Sequence, residues 1–442
     1  MSSSTDYDQP LFTGTPFEKL SKLLSDSGEL DEVGRNEAMA IVTHYMQNAD
    51  DEDLTVPFLT PELRVTLKEH LKDIAFSDAL FASEGEAVQL SLPLLCTDDL
   101  FCRLPFGPPR HWDFTFIDLF AGIGGFRIAF QRAGGKCVFS SEWDKYAQKT
   151  YMRNFGEMPY GDIRSIPKEG IPEHDVLCAG FPCQPFSLAG VSKKNSLGRK
   201  HGFEDETQGT LFFEIKEILR IKRPKAFMLE NVKNLISHDQ GRTFEIIRRS
   251  LADELGYVIG WEVVDGSAWV PQHRERMYLI GFDPEQVSIR HEDIRIPTAP
   301  EKGYHYPKLS SIIKKKLDGY TLGPGTWATL ERHKAHHAKA GNGFGYGLHT
   351  WPLRDDEVTR TISARYHKDG AEILIEQPGN RPRKLSVEEA MQLQGYDPHT
   401  FVFPVSDTQA YHQIGNSVVV PAIEASARFI ASILKPYDCH HS

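Results

Sequence analysis

From residue 114 onward, short apolar runs alternate with amphipathic stretches, and this alternation constrains the fold more than any other feature of the sequence. Two of the intervening stretches, 209–222 and 241–255, have apolar residues at helical spacing. Alternating strands and helices predict an α/β fold, a doubly wound and mostly parallel sheet with helices on both faces. The apolar runs are FTFIDLF (114–120), KCVFSSE (136–142), HDVLCAG (174–180), KAFMLE (225–230) and MYLIGF (277–282).

The regions on either side of this pattern differ from it in composition. Residues 1–110 contain two helical patterns, and FGPPR at their end has the composition of a linker. Residues 283–382 are rich in Gly, His, Tyr and Pro and show little periodicity. We therefore predict a helical N-terminal extension over 1–110, an α/β domain over 111–282, a smaller domain over 283–382, and a C-terminal segment over 383–442 that returns to the α/β domain.

The distribution of charge matters more for the choice of partner than the net charge of −11. Residues 1–110 contain 8 Lys+Arg and 20 Asp+Glu, whereas the remaining residues contain 42 and 41. The acidic excess is therefore confined to the first quarter of the chain, and the rest can present a basic face to phosphates. Charge permits a nucleic-acid partner but does not predict one.

Several classes of protein are disfavoured by composition. No run of about 18 apolar residues occurs, so we expect no membrane span. The polar, acidic start MSSSTDYDQP predicts no secretory signal. The six cysteines form neither a CxxC pair nor a dense framework, which favours a reducing cytoplasm and no metal site.

The stretch DLFAGIGG (118–125) follows a predicted strand and precedes a predicted helix. Glycines there let the backbone approach a ligand closely, and the helix N-terminus offers free N–H donors. Glu142 ends the next strand, where a carboxylate can hold ribose hydroxyls, and the indole of Trp143 can stack on an adenine. Asp162 is similarly placed and could accept from an adenine amino group. Taken singly, these residues are also compatible with a packing turn and a surface carboxylate.

The sharpest motif is GFPCQPFS (180–187), in which Cys183 lies between two prolines just beyond an apolar run. Such a stiff turn suits a nucleophile whose pKa is lowered, whereas Cys178, inside the run, is interpreted as core. Glu230 and Asn231 end the run KAFMLE, and a buried carboxyl there is a candidate general acid. A helix-capping pair is the alternative interpretation of those two residues.

The motif QHRER (272–276) precedes another predicted strand. Gln272, Arg274 and Arg276 would share one face of an extended chain. Two guanidinium groups on one face suit a phosphate or a base carbonyl, although a solvated edge strand is the alternative.

In this order, FxGxG, PCQ, ENV, QxRxR and GNSV (415–418) resemble the DNA (cytosine-5)-methyltransferase family over residues 114–282 and 383–434. The resemblance implies the S-adenosylmethionine-dependent methyltransferase fold, with a target-recognition domain at 283–382 and a completed catalytic domain. It implies double-stranded DNA as substrate, S-adenosylmethionine as cofactor, no metal, and a cytoplasmic location at a prokaryotic nucleoid. Whether a cognate restriction endonuclease accompanies the enzyme stays open.

The resemblance to the family also implies roles for individual residues of this sequence. Cys183 would attack C6 of a cytosine flipped out of the duplex, and Glu230 would bond its N3 and amino edge and supply a proton. Asn231 and Arg276 would help to hold the base, and Arg274 would steady the covalent adduct. The cofactor would be bound by Phe120, Ile123, Gly125, Glu142, Trp143, Asp162, Asn416 and Val418.

Longer stretches resemble the Dcm-type subgroup, which methylates the inner cytosine of CC(A/T)GG and has close relatives that accept CCNGG. Arg360 and Arg365 would donate to guanine, although contacts to phosphates alone are an equally supported alternative. Thr361 would hold a phosphate, Asn342 would let backbone approach a base edge, and Lys200 lies in a predicted mobile loop over the flipped site. The stretches are 187–203, 339–347, 360–375 and 404–421.

Two other functions remain open from the sequence. Family members that methylate tRNA share the scaffold but lack a long recognition domain, whereas about 100 residues occupy that place here. Some relatives have a regulatory DNA-binding domain before the catalytic one, which makes a DNA-binding regulator the second alternative. The acidic composition of residues 1–110 and the lack of a clear helix-turn-helix pattern disfavour it.

Overall fold

The computed structural model describes residues 16–48, 51, 54–73, 76–77, 89–90, 104–181, 210–341 and 345–435. The strands are β1 (Phe76–Ser77), β2 (Gln89–Leu90), β3 (Phe114–Leu119), β4 (Gly135–Ser141), β5 (Val176–Gly180), β6 (Ala226–Val232), β7 (Val258–Asp265), β8 (Glu275–Phe282), β9 (Leu348–His349), β10 (Leu374–Gln377) and β11 (Asn380–Arg383). The α-helices are Pro16–Asp26, Glu32–Asn36, Ala38–Gln47, Pro61–Asp73, Gly125–Arg132, Lys145–Phe155, Thr210–Lys222, Arg242–Arg249, Leu309–Ile312, Pro324–Lys339, Val387–Gln392, Asp407–Asn416 and Val420–Leu434.

The central sheet has the strand order β4-β3-β5-β6-β8-β7. The first four strands are parallel, and β8 runs antiparallel between β6 and β7. The predicted α/β fold with a mostly parallel sheet is therefore confirmed, and each of the five predicted runs forms a strand. The sequence did not predict β7, in which Trp261 and Glu262 are exposed between buried and half-buried residues.

Both faces of this sheet are buried, which explains why its strands have nearly continuous apolar sequences. Phe116 and Met228 face one apolar cluster, and Ile117 and Leu229 face the other. Cys178 lies fully buried in the first cluster, in agreement with its interpretation as a core residue.

The first cluster is covered by the C-terminal helix Val420–Leu434, which packs against helix Gly125–Arg132. Helix Val420–Leu434 thus lies against the helix that follows the glycine turn. Within the described ranges, no single helix is long and apolar enough to cross a membrane, and Asp407–Asn416 and Val420–Leu434 meet that test only together, as a bent pair.

The N-terminal helices cover the other face. Leu24, Ile41 and Leu67 belong to the same apolar cluster as Ile117 and Leu229 of the central sheet. The helices therefore share a core with the α/β domain and do not stand apart from it. The domain boundary at residue 110 stays a prediction.

Residues 283–382 contain little regular structure around a small sheet of order β11-β10-β9, whose β11 extends one residue beyond this range. A small apolar cluster of Leu322, Leu330 and Leu374 joins this sheet to helix Pro324–Lys339. The sequence did not predict that helix. Leu330 is its one buried residue, so the helix has no apolar stripe that would produce a periodic pattern.

Candidate active site

The glycine turn after β3 brings backbone N–H groups to the edge of the sheet. Phe120 and Gly122 have positive φ angles of 55° and 56°, and helix Gly125–Arg132 follows directly. A Cβ at Gly122 would meet nothing closer than the Phe120 carbonyl oxygen at 4.0 Å, so that side of the turn is open. Ile123, in contrast, is buried in the core.

Glu142 is anchored at the end of β4 by two backbone donors. Gly122 N–H donates to Oε2 and Asp144 N–H donates to Oε1, each over 2.8 Å. Burial raises the pKa of this carboxyl, and the backbone donors oppose the shift. The structure thus brings the glycine turn and the predicted ribose-binding carboxylate into direct contact.

Trp143 follows Glu142 and has an indole that is 72% exposed. Its backbone lies between the anchored Glu142 and Asp144, which caps helix Lys145–Phe155 by accepting from Tyr146 N–H and Ala147 N–H. An exposed ring on a fixed backbone can stack on a flat ligand at little entropic cost.

The structure gives Asp162 a partner that the sequence did not suggest. Arg164 Nε donates to both carboxylate oxygens of Asp162 over 2.9 Å, and Arg164 N–H also donates to Oδ1. An adenine amino group would have to share these oxygens with Arg164. The adenine contact of Asp162 stays a prediction.

The C-terminal segment 383–442, here called the return segment, packs against the glycine turn through Val418. A Cβ at Gly125 would lie 2.6 Å from Val418 Cγ2, so glycine is required for this close packing. Ser417 Oγ and Tyr396 Oη share a hydrogen bond of 2.6 Å beside it. Asn416 is exposed at the end of its helix, and its side chain has no hydrogen-bond partner among the described residues.

Glu230 lies near the end of β6, directly opposite Gly180 of β5. A Cβ at Gly180 would be 3.6 Å from Glu230 Oε2, so the carboxyl packs close to the backbone that leads to Pro182 and Cys183. Arg276 Nε lies 3.1 Å from Glu230 Oε1. Burial raises the pKa of Glu230, while Arg276 and Arg274 oppose that rise. The helix-capping alternative is wrong, because Glu230 and Asn231 lie within a strand.

Asn231 makes contacts that differ from the base contact we predicted. Its amide nitrogen donates to the Phe181 carbonyl over 2.8 Å, and its amide oxygen accepts from Val232 N–H over 2.8 Å. With the side chain buried, these bonds fix the backbone two residues before Cys183. In this structure Asn231 positions the backbone of Phe181, and its direct contact to a base stays a prediction.

Arg274 is buried, and its guanidinium donates to the carbonyls of Ile362, Gly415 and Ser417. Burial and, to a lesser extent, the neighbouring Arg276 lower its pKa to about 9, whereas Glu230 opposes that shift. Arg274 therefore ties residues 283–382, the predicted recognition region, to the return segment. The alternative of a solvated edge strand is wrong here, because Gln272 is buried too and bonds Leu393 O and Ile362 N–H.

The predicted base-reading residues of the recognition region lie near one another along the chain but differ in environment. Arg360 is exposed, and its guanidinium donates to the Gly345 carbonyl. Arg365 is exposed, and its guanidinium has no hydrogen-bond or ion-pair partner among the described residues. Thr361 Oγ1 donates to the His273 carbonyl, which fixes this segment beside Arg274. Cys183, Lys200 and Asn342 lie outside the described residues.

Comparisons with known proteins agree with this arrangement. Residues 114–432 match the family model described as C-5 cytosine-specific DNA methylase. The chain is 45% identical over 395 residues to the Type II methyltransferase M.SsoII of Shigella sonnei, covering 85% of this chain and 100% of that one. It is 46% identical over 390 residues to a DNA-cytosine methyltransferase of Escherichia coli K12, covering 75% and 81%.

The chain belongs to the C-5 cytosine-specific DNA methylase family. Among solved structures, the S. pombe Dnmt2 methyltransferase matches with a TM-score of 0.56 over 74% of this chain and 99% of that one. At 15% sequence identity this match supports the fold alone. The protein is therefore a site-specific DNA cytosine-5 methyltransferase that uses S-adenosylmethionine.

The described residues fit that cofactor. One edge of the sheet holds the open side of the Gly122 turn, the anchored Glu142 and the exposed indole of Trp143. A buried carboxylate with lone pairs remaining suits ribose hydroxyls, and an exposed indole suits adenine. The same edge holds Glu230, because β3, β4, β5 and β6 are parallel.

Sequence reasoning missed a cluster of buried polar residues that lies outside the predicted site residues. Arg127, Glu157 and His44 are buried and form ion pairs or close polar contacts with one another. No sequence pattern indicated this cluster, because its members come from the N-terminal helices and from two separate parts of the α/β domain.

Proposed function

We propose that this methyltransferase modifies the inner cytosine of CCWGG or CCNGG, on a base flipped out of the duplex, through a covalent adduct between Cys183 and C6. The observation that supports the chemistry best is the placement of Glu230. Its buried carboxyl lies opposite Gly180, and Asn231 fixes Phe181 on the same approach to Cys183. A candidate acid and the segment of the candidate nucleophile thus meet at one edge of the sheet.

The chemistry explains why both groups are needed. C5 of cytosine is a poor nucleophile, and addition of the Cys183 thiolate at C6 with protonation of N3 makes it enamine-like. Glu230 would supply the N3 proton, which its raised pKa helps it to retain. The methyl group would move to C5 and leave S-adenosylhomocysteine. Water would then take the C5 proton, the C6–S bond would break, and N3 would return its proton to Glu230, which restores the aromatic ring and the thiolate.

S-adenosylmethionine, when bound, supplies an electrophilic methyl group. Glu142 would hold its ribose and Trp143 its adenine, with Asp162 near the adenine amino group. The glycine turn with Phe120, Ile123 and Gly125, together with Asn416 and Val418, would complete the surroundings. These residues would bind the cofactor and orient its methyl group toward the flipped base.

Recognition would use the exposed part of the 283–382 region. Arg365 has a guanidinium without a partner among the described residues, and Arg360, five residues earlier in the chain, is also exposed. Bidentate donors of this kind suit guanine in the major groove. Thr361 would meet a phosphate, and Asn342 and Lys200, outside the described residues, would contact the DNA. The resemblance of four stretches to the Dcm-type subgroup supports CCWGG or CCNGG as the site.

The names of similar proteins bear on possible partners. M.SsoII and M1.ScrFI of Lactococcus lactis are named Type II methyltransferases. We propose that a restriction endonuclease with the same site accompanies this enzyme, and that the enzyme acts at the bacterial nucleoid. A role of residues 1–110 as a DNA-binding regulator stays an open alternative.

Bisulfite sequencing of DNA from cells that express the chain tests the activity and the site together. We expect methylated cytosines at the second position of CCWGG or CCNGG and nowhere else. Methylation in other contexts would contradict the proposed site while leaving the enzyme class intact. A parallel assay on tRNA should detect no methyl transfer.

A further inference from the structure

The segment 155–161 connects helix Lys145–Phe155 to Asp162 and is held from one side by the N-terminal helices. Gln47 Nε2 donates to the Phe155 carbonyl over 2.7 Å, and Met158 N–H donates to Thr43 Oγ1 over 3.0 Å. Tyr160 Oη donates to the Pro57 carbonyl over 3.1 Å. Three polar contacts from the extension therefore fix a segment that is not part of the extension.

Glu37 provides the contact nearest to the cofactor site. Gly161 N–H donates to both carboxylate oxygens of Glu37, over 3.0 and 3.1 Å, and Gly161 directly precedes Asp162. A Cβ at Gly161 would lie 2.7 Å from Glu37 Oε1, and the three nearest atoms would all belong to Glu37. The lack of a side chain at residue 161 is thus what admits the carboxylate.

The other side of the segment pairs with the end of β4. Tyr160 N–H donates to the Ser140 carbonyl over 2.9 Å, and Glu142 N–H donates to the Tyr160 carbonyl over 2.7 Å. Ser141 Oγ also donates to the Gly161 carbonyl over 2.7 Å. Any shift of the segment would therefore move the backbone of Glu142 as well as that of Asp162.

A buried polar cluster also connects the N-terminal helices to helix Gly125–Arg132, to β4 and to Glu157. Glu157 Oε1 accepts from Arg127 over 2.7 Å and from Ser140 Oγ over 2.6 Å. His44 Nε2 accepts from Ser140 N–H over 3.1 Å, and Arg127 Nη2 donates to Gln47 Oε1 over 2.8 Å. The extension therefore contacts the helix after the glycine turn, β4 and the 155–161 segment together.

We infer that the N-terminal helices form a support for the cofactor site and that Glu37 is a positioning residue for S-adenosylmethionine. Glu37 acts through Gly161 on Asp162 and, through Tyr160, on Glu142. The inference rests on the proposed placement of the cofactor at Glu142, Trp143 and Asp162. It assigns residues 1–110 a role in the methyl-transfer reaction that needs no DNA contact by the extension.

The test uses the full-length chain and separates cofactor affinity from turnover. Glu37→Ala should raise the KM and the calorimetric Kd for S-adenosylmethionine by about three- to tenfold, the range for losing one hydrogen bond. The kcat at saturating cofactor and the KM for DNA should stay the same, because neither DNA nor the reacting atoms touch Glu37. Glu37→Gln should restore near-normal affinity, since its amide oxygen can accept from Gly161 N–H.

Glu32→Ala is the matched control. Glu32 is an exposed carboxylate on the short helix Glu32–Asn36, and it has no hydrogen-bond or ion-pair partner among the described residues. Its replacement should leave the cofactor KM at the wild-type value. A Glu37→Ala enzyme with a lower Tm but an unchanged cofactor Kd would show a purely structural contact and would overturn the inference.

A double-mutant cycle tests the coupling of Glu37 to Gly161. Gly161→Ala should weaken cofactor binding in the wild type, because its Cβ collides with Glu37, and should add little in the Glu37→Ala background. Additive effects would contradict the coupling. If Trp143→Ala and Glu142→Ala also leave the cofactor KM unchanged, the proposed placement of the cofactor is wrong. If these two variants raise the cofactor KM and Glu37→Ala does not, only the inference about Glu37 is wrong.

Discussion

The edge of the central sheet that holds the predicted catalytic groups, here called the catalytic edge, and the predicted recognition region at 283–382 place their candidate functional side chains in opposite environments. At the catalytic edge, Glu230 is buried against Gly180 and held by Arg276, and Arg274 is buried under three carbonyls. In the predicted recognition region, Arg360 and Arg365 are exposed, although Ile362 and Tyr366 between and beside them are buried in the first apolar cluster.

This difference follows from what each region must do. Groups that stabilise a transition state are most effective when they are oriented before the substrate arrives, which requires burial and fixed partners. Groups that contact DNA must stay accessible to a large, hydrated surface, and DNA itself supplies their partners. Substitutions at the catalytic edge should therefore change rates on every sequence, whereas substitutions in the recognition region should change the choice of sequence.

The largest effect is expected at Cys183. Cys183→Ala should abolish methyl transfer on all DNA sequences, and Cys183→Ser should lose nearly all activity, because an alcohol is far less ionised than a thiol at neutral pH. Duplex DNA with 5-fluorocytosine at the target should give an SDS-stable adduct with the wild type only. Cofactor binding by calorimetry should be retained in both variants. Ordinary turnover by Cys183→Ala would refute the covalent mechanism.

Glu230→Gln should lower kcat by about 10²- to 10⁴-fold, the usual contribution of a general acid. Since burial raises the pKa of Glu230, the carboxyl keeps its proton to higher pH than an ordinary glutamate. It loses that proton, and with it the ability to donate, as pH rises through the raised pKa. The alkaline fall in the kcat–pH profile of the wild type should thus be missing in the variant.

Glu275→Gln controls for a general loss of charge near this edge, because Glu275 is exposed and pairs with Lys233. It should keep the wild-type kcat and pH profile. An unaltered pH profile in Glu230→Gln would exclude Glu230 as the proton donor and would weaken the contrast between the two regions.

Arg365→Ala should alter sequence choice by about 1–3 kcal/mol at one position if Arg365 contacts a base. If it contacts only phosphate, methylation of all sequences should weaken alike. Bisulfite sequencing of a randomised library of sites distinguishes the two results. Arg354→Ala, an exposed arginine of the same region paired with Asp356, is the matched control. A fall in kcat without any change in DNA affinity or sequence choice would instead assign Arg365 to the catalytic edge.

The smallest effect is expected at Trp143. Trp143→Ala should raise the KM for S-adenosylmethionine by about three- to tenfold, as for the loss of one aromatic stacking contact, with kcat nearly unchanged. Trp112→Ala is a suitable control, because Trp112 is also exposed but lies over Lys136 instead of beside Glu142. A large drop in kcat with unchanged cofactor affinity would contradict the proposed placement of the adenine.

Parts of the fold were predictable because their sequences depend on local burial. The strands that are covered on both faces have continuous apolar runs, and each was found. Strand β7 was missed because Trp261 and Glu262 interrupt its buried pattern with exposed positions. Helix Pro324–Lys339 was missed because only Leu330 is buried on it. In both cases the sequence pattern is weak because too few residues of the element are buried, or are buried at regular spacing, to give a periodic apolar pattern.

The sequence alone determined the family, the cofactor and the order of the motifs, because these depend on residue types at fixed spacings along the chain. Only the tertiary structure decided that Asn231 holds Phe181, that Arg274 joins the recognition region to the return segment, and that Glu37 meets Gly161. Each of these contacts joins residues that are far apart in sequence. Their partners depend on the path of the whole chain, and a buried polar side chain has no local pattern that identifies its partner.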